Sequence, residues 1–163
     1  MGVLTLPSGD NKIPFIAAVQ TNNQGHPLHA VFSIVKSFCK EDVELWAKRS
    51  LKPSSLVVSD GLSCFLAVKA AGCLHQREVV GKGRESTSMD CFRWVNTILG
   101  NLKNSITGTY HAFDFEKYAH RYLGEFQYRF NRRFDLPSML KRLVIATARS
   151  GKVPEYKLRL AED

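Results

Sequence analysis

The sequence predicts an α/β domain built on a mixed sheet with helices on both faces. Two observations carry that expectation. Short apolar runs alternate with helical patterns in the order hairpin, helix, strand, helix, strand and then three helices, the order of layered α/β architectures. The most apolar short run, SSLVVSDG (54–61), leads straight into Asp60, and sites in such sheets form at the carboxyl ends of strands. At 163 residues, 44% of them hydrophobic, the chain can bury one core without disulfide or metal staples. The expected organisation is one domain over residues 1–150 and a tail over 151–163.

Residues 1–10 end in a Pro-Ser-Gly-Asp turn signal. KIPFIAAVQT (12–21) and PLHAVFSIV (27–35) read as strands joined by the turn NNQG, a hairpin whose first strand has Pro14 near its start, at an edge. CKEDVELWAKRSL (39–51) reads as a helix with Val43, Leu45, Trp46 and Leu51 on its stripe, acids in its first turn and cations in its last. Lys52-Pro53 breaks it before the 54–61 strand. LSCFLAVKAAG (62–72) is a helix stopped by Gly72, and CLHQREVV (73–80) is another strand. GKGRESTSMD (81–90) has no periodicity and reads as a loop, its Gly-x-Gly too short to cradle a phosphate. A helix from about Met89 to Asn104 follows, then a turn at Gly108-Thr109. AFDFEKYAHRYLGEFQYRFNRRF (112–134) reads as one long aromatic helix with Asp114 as its N-cap, and SMLKRLVIATARS (138–150) as the last helix before a frayed tail.

The formal net charge is +8, which favours polyanionic partners, nucleic acid foremost. The excess is concentrated late: from Lys117 to Arg159 the only acids are Glu125, Asp135 and Glu155. No apolar run approaches bilayer length and no secretory signal pattern opens the chain, so the expected localisation is cytoplasmic. Cys39, Cys64, Cys73 and Cys91 form no C-x-x-C pair, which excludes a structural zinc site of that spacing. Cys64 and Cys73 read as small buried hydrophobes, reduced in a reducing compartment.

The candidate chemistry lies in FRWVNTILGNLKNSITGTYH (92–111) taken with Asp60. Phe92, Val95, Leu99 and Leu102 give the helix an apolar face. Asn96 and Lys103, seven residues apart, project from one side of it. An amide and a lysine opposite a strand-end aspartate suit a divalent metal and a phosphate. The same spacing also suits an ordinary amphipathic helix with polar residues on its wet face.

VVSDG, the Ala71-Gly72-Cys73-Leu74-His75 segment, FRWVNTILGNLK, GTYHAF and RYLGEFQYRFNRRF together resemble the catalytic domain of insertion-sequence transposases of the ISXO-like group. These belong to the DDE superfamily and carry asparagine as third member, with a lysine after it (a D-D-N-K signature). The resemblance spans about Gly9 to Leu143. It implies a ribonuclease H-like fold and cleavage and joining of DNA ends with Mg²⁺ (or Mn²⁺). It makes Asp60 the second metal aspartate, Asn96 the third metal-binding member and Lys103 its catalytic partner on phosphate. A carboxylate oxygen is a hard ligand suited to Mg²⁺, an amide oxygen adds only a dipole, and a lysine offers a point charge. Two such ions about 4 Å apart would activate the attacking oxygen and stabilise the leaving one.

One element of the pattern finds no match. The family's first metal aspartate belongs in an apolar strand ahead of SGDNK, and Asp10, between Gly9 and Asn11, is the only acid before Glu41. The expectation is a domain truncated at its N-terminus, with the first, central strand missing and VLTL (3–6) as a partial substitute. Each backbone group left unpaired in the interior would cost about 1–3 kcal/mol.

Tyr110 and His111 fit either DNA and site support or packing. His75 reads as a satisfied structural histidine and Trp94 as packing. Arg129, Arg132 and Arg133, interleaved with Phe126, Tyr128, Phe130 and Phe134, suit a basic rim that binds phosphates as well as a solvated face with snorkelling stems. The expected function is DNA transposition by a polypeptide inactive on its own. The alternatives are a non-catalytic DNA-binding remnant that pairs with full-length transposase, and a nuclease of host repair. The expected partners are DNA ends and target, with self-association to join two ends.

Overall fold

The structure, a computed structural model, describes residues 13–78, 89–110 and 114–160. The chain opens with an antiparallel hairpin, β1 (Phe15–Thr21) and β2 (Pro27–Ile34), as its alternation predicts. Its turn is tied by Asn22, whose Oδ1 accepts from the Gln24 and His26 amides at 3.0 and 2.8 Å, and Gly25 supplies a φ of 79°. Helix α1 (Lys40–Ser50) follows, with the Cys39 Sγ accepting from the Asp42 amide at its N-cap. Strand β3 (Leu56–Ser59) pairs in parallel with β4 (Leu74–Arg77), and the crossover is a helix of 3₁₀ form, Ser63–Ala71, ended by Gly72 in the left-handed region. Helices α2 (Arg93–Thr109), α3 (Phe115–Asn131), α4 (Leu136–Arg149) and the short α5 (Glu155–Arg159) complete the described chain.

β1 is buried on both faces, which makes it the centre of the layering. Phe15 and Ala17 pack with Val95, Leu99, Leu102 and Leu123 of α2 and α3. Ile16, one residue out of phase, packs with Val43, Trp46, Val57 and Phe65 under α1 and the 3₁₀ helix. Helices on both faces are thus observed. The strands, however, form two separate two-stranded ladders among the described residues, β1–β2 and β3–β4, rather than one continuous sheet.

The outer edge of β2 is closed by α3. The Ala30 amide donates to Asn131 Oδ1 at 2.7 Å, Asn131 Nδ2 donates to the Ala30 carbonyl at 2.9 Å, and the Phe32 amide donates to Gln127 Oε1 at 2.8 Å. Arg133 extends the cover by donating to the carbonyls of Leu28 (3.1 Å) and Pro27. An exposed strand edge invites pairing with another chain, and these side chains occupy it.

Several expected boundaries shift. Leu45 is 69% exposed: Val43, Trp46 and Ala47 form the buried stripe of α1, and Leu45 falls on the far side of the turn. Helix α2 begins after a 3₁₀ turn at Asp90–Phe92 and runs through Gly108-Thr109, because buried Ile106 anchors its last turn and the Tyr110 amide still reaches the Ile106 carbonyl at 3.0 Å. The long aromatic helix is shorter than expected and breaks locally at Tyr118 (φ −123°, ψ 16°), while its cap is as predicted, Asp114 accepting from the Lys117 amide. α4 starts two residues early, with Pro137 in its first turn, where a missing amide costs nothing. The tail after Gly151 holds α5 rather than irregular chain alone. VLTL, Asp10 and most of the 81–90 segment lie outside the described residues.

Candidate functional site

The carboxyl end of β3 is where polar groups gather. Ser59 is the one polar side chain fully buried among the described residues. Its hydroxyl donates to the Asp60 carbonyl at 3.1 Å and lies 2.8 Å from His75 Nε2. A hydroxyl has a single proton, so with that proton on the Asp60 carbonyl the imidazole must donate its Nε2–H. Burial, helped by the charges of Lys69 and Arg77, holds His75 below the usual histidine range, so it is neutral at pH 7 and able to play that part. Arg77, two residues on and therefore on the same face of β4, donates to the Gly61 carbonyl.

Asp60 itself is half-buried, and burial raises its carboxyl above the usual range against the smaller opposing effect of the Leu62 amide. That amide donates to Oδ1 at 3.3 Å, closing an Asx turn. On α2, Asn96 is half-buried and Lys103 exposed. At 3.6 residues per turn they stand roughly 20° apart around the axis, while Ser105 stands roughly 180° from Asn96. Ser105 accepts from Arg129 of α3 at 2.9 Å. The Asn96–Lys103 flank of α2 therefore faces away from α3.

Among the described residues, no hydrogen bond or ion pair links Asp60, Asn96 and Lys103 to one another, and no group of three His, Cys, Asp or Glu gathers to hold a metal. Tyr110 packs on the core, its ring 4.8 Å from that of Tyr122. His111 lies outside the described residues. Trp94 is partly buried with Arg93 over its ring. The three arginines of α3 and its end all have intramolecular work. Arg129 pairs with Glu125 at 2.6 Å, Arg132 lies over Tyr128, and Arg133 lies over Phe130 and Phe134 while holding β2. Arg77, Gln127 and Asn131 were not singled out by sequence. The period of two that aligns Arg77 with His75 was the available signal; for Gln127 and Asn131 there was none short of the fold.

These features define an α/β domain whose polar groups collect at one strand end and along one helix flank. The family described as the ISXO2-like transposase domain matches residues 5–131, and the chain belongs to that family of insertion-sequence transposases. No match was found among curated proteins.

Proposed function

We propose that this chain acts in DNA transposition as a ribonuclease H-like domain, with Asp60 as the second metal aspartate, Asn96 as the third member and Lys103 on phosphate. The observation that carries the proposal is the setting of Asp60. It directly follows the last residue of β3, at the carboxyl end of a strand whose Val57 packs with α1 and the 3₁₀ helix, and its half-buried carboxylate accepts from the Leu62 amide at the start of that helix. Asn96 and Lys103 occupy the α2 flank turned away from α3, and all three residues lie inside the family match. β1 and β3 each have a ladder partner on one side only among the described residues, which suits a fold with a further strand between them.

Transposases of this superfamily generally work with divalent metals. The donors here fit that requirement poorly. One carboxylate, already engaged by the Leu62 amide, and one amide oxygen fall short of what two ions need, and no further donor group gathers among the described residues. This donor set supports the reading that the polypeptide is inactive by itself in DNA cleavage. The phosphate contacts of this reading are Lys103, Arg129 and Arg132, with Tyr110 and His111 as further DNA-binding candidates, whereas Arg133 donates to β2 carbonyls. No described helix is long and apolar enough to cross a membrane, in keeping with a DNA-acting, cytoplasmic role. The test is strand cleavage of an inverted-repeat end with Mg²⁺ or Mn²⁺. No product is expected, and cleavage that disappears in Asp60→Ala would overturn the inactivity while upholding the site.

The +8 charge and the thin donor set favour a second reading, a non-catalytic DNA-binding partner of full-length transposase. DNA affinity that survives Asn96→Ala and falls steeply with salt supports it. Salt-insensitive or absent binding removes it.

A further inference from the structure

The geometry points to His75 and Arg77 as positioning residues that fix Asp60 from the neighbouring strand. The inference rests on the reading of Asp60 as a site residue and assigns a task to two side chains that touch neither DNA nor metal.

Asp60 and Gly61 follow the last residue of β3, where the ladder ends and the main chain is free to swing. Two consecutive carbonyls at this point are held by side-chain donors. Ser59 Oγ donates to the Asp60 carbonyl at 3.1 Å, and His75 Nε2 sits behind that hydroxyl at 2.8 Å. Arg77 donates to the Gly61 carbonyl. The register, His75 opposite Val57 and Arg77 opposite Ser59, puts both side chains on the face that carries Ser59. The latch therefore grips the backbone carbonyls of Asp60 and Gly61 and leaves the carboxylate of Asp60 to the Leu62 amide, its one hydrogen-bond partner among the described residues. The Ser59 hydroxyl has no access to solvent. Its pairing with His75 is thus a fixed internal contact, unsuited to nucleophilic chemistry.

The test is amide hydrogen exchange in ¹⁵N-labelled full-length chain without added metal, read at Leu62, whose N–H reports where the Asp60 carboxylate lies. His75→Phe keeps a ring and removes the donor. Arg77→Ala removes the other grip. Each should speed exchange at Leu62 by about 5- to 10-fold, the scale of one lost hydrogen bond. Amides of the β1–β2 hairpin should keep their wild-type rates. His75→Gln and Arg77→Lys, which retain a donor, should restore protection to within about 2-fold. Unchanged exchange at Leu62 in both removal variants would overturn the proposal, as would an equal acceleration of exchange spread over the hairpin, which marks general destabilisation. Because no cation is present, the latch can stand while the metal role of Asp60 fails. That role is judged separately, by Mn²⁺-induced broadening at Gly61 in wild type against Asp60→Asn.

Discussion

Asn131→Ala strips the outer edge of β2 of its principal cover. Asn131 makes two hydrogen bonds to one residue, accepting from the Ala30 amide at 2.7 Å and donating to its carbonyl at 2.9 Å. Ala30 is fully buried, so truncation leaves a donor and an acceptor with little access to water. Each net bond is worth about 0.5–1.5 kcal/mol, and an unsatisfied buried group costs about 1–3 kcal/mol. Partial entry of water through the cavity left behind brings the expected loss to roughly 2–4 kcal/mol. Against a total of about 5–15 kcal/mol this is a large share. It corresponds to a fall in Tm of roughly 5–15 °C for a chain of this size. Urea and thermal unfolding followed by circular dichroism measure it. Gln127→Ala, which removes the single bond to the Phe32 amide, should cost only about 1 kcal/mol. Freed of its cover, the edge should also promote concentration-dependent association. A loss below about 0.5 kcal/mol for Asn131→Ala would show that α3 does not close this edge in solution.

Asp60→Asn should raise Tm at pH 7. Burial lifts the Asp60 carboxyl, so the folded state holds its proton to higher pH than the unfolded chain does, and ionised Asp60 burdens the fold at neutrality. The gain over wild type should shrink as pH falls toward 3.8, the ordinary value for the group, and a gain that grows on acidification would reverse the sign. His75 behaves in the opposite sense. Its folded value lies below the ordinary 6.5, so the unfolded chain takes up a proton first and stability falls as pH drops below about 6.5. His75→Gln should flatten that decline in unfolding midpoints between pH 7 and 5, and an unchanged slope would locate the acid sensitivity elsewhere.

What could be read from the sequence was local. The hairpin followed from alternation and the Asn22–Gly25 turn, the Asp114 cap from one side chain three residues ahead of the amide it accepts, and the α2 core face from its spacing. The Gly72 stop needed only a left-handed residue after an apolar run. Leu45 was misplaced because four apolar residues fit a loose stripe, and only the partners of α1 show that Val43, Trp46 and Ala47 define it. The cover of β2 joins residues about a hundred apart in sequence, and periodicity says which face of a helix is buried without saying against what. Charge alone fits the arginines after Glu125 equally to a phosphate rim and to a solvated face, and the contacts of Arg129 with Ser105 and of Arg133 with β2 carbonyls join residues that sequence spacing does not bring together. His75 was recognised as a satisfied histidine. Its partner Ser59, and hence its bearing on Asp60, required the β3–β4 register.

The most direct test of the site is whether Asp60 and Asn96 face one cation. Mn²⁺ added to ¹⁵N-labelled protein should broaden the Gly61 backbone amide and the Asn96 side-chain amide together, over the same concentration range, and both effects should vanish in Asp60→Asn. Broadening at Gly61 with Asn96 untouched, or effects at both that persist in Asp60→Asn, would place the two residues in separate environments and leave the shared site without support.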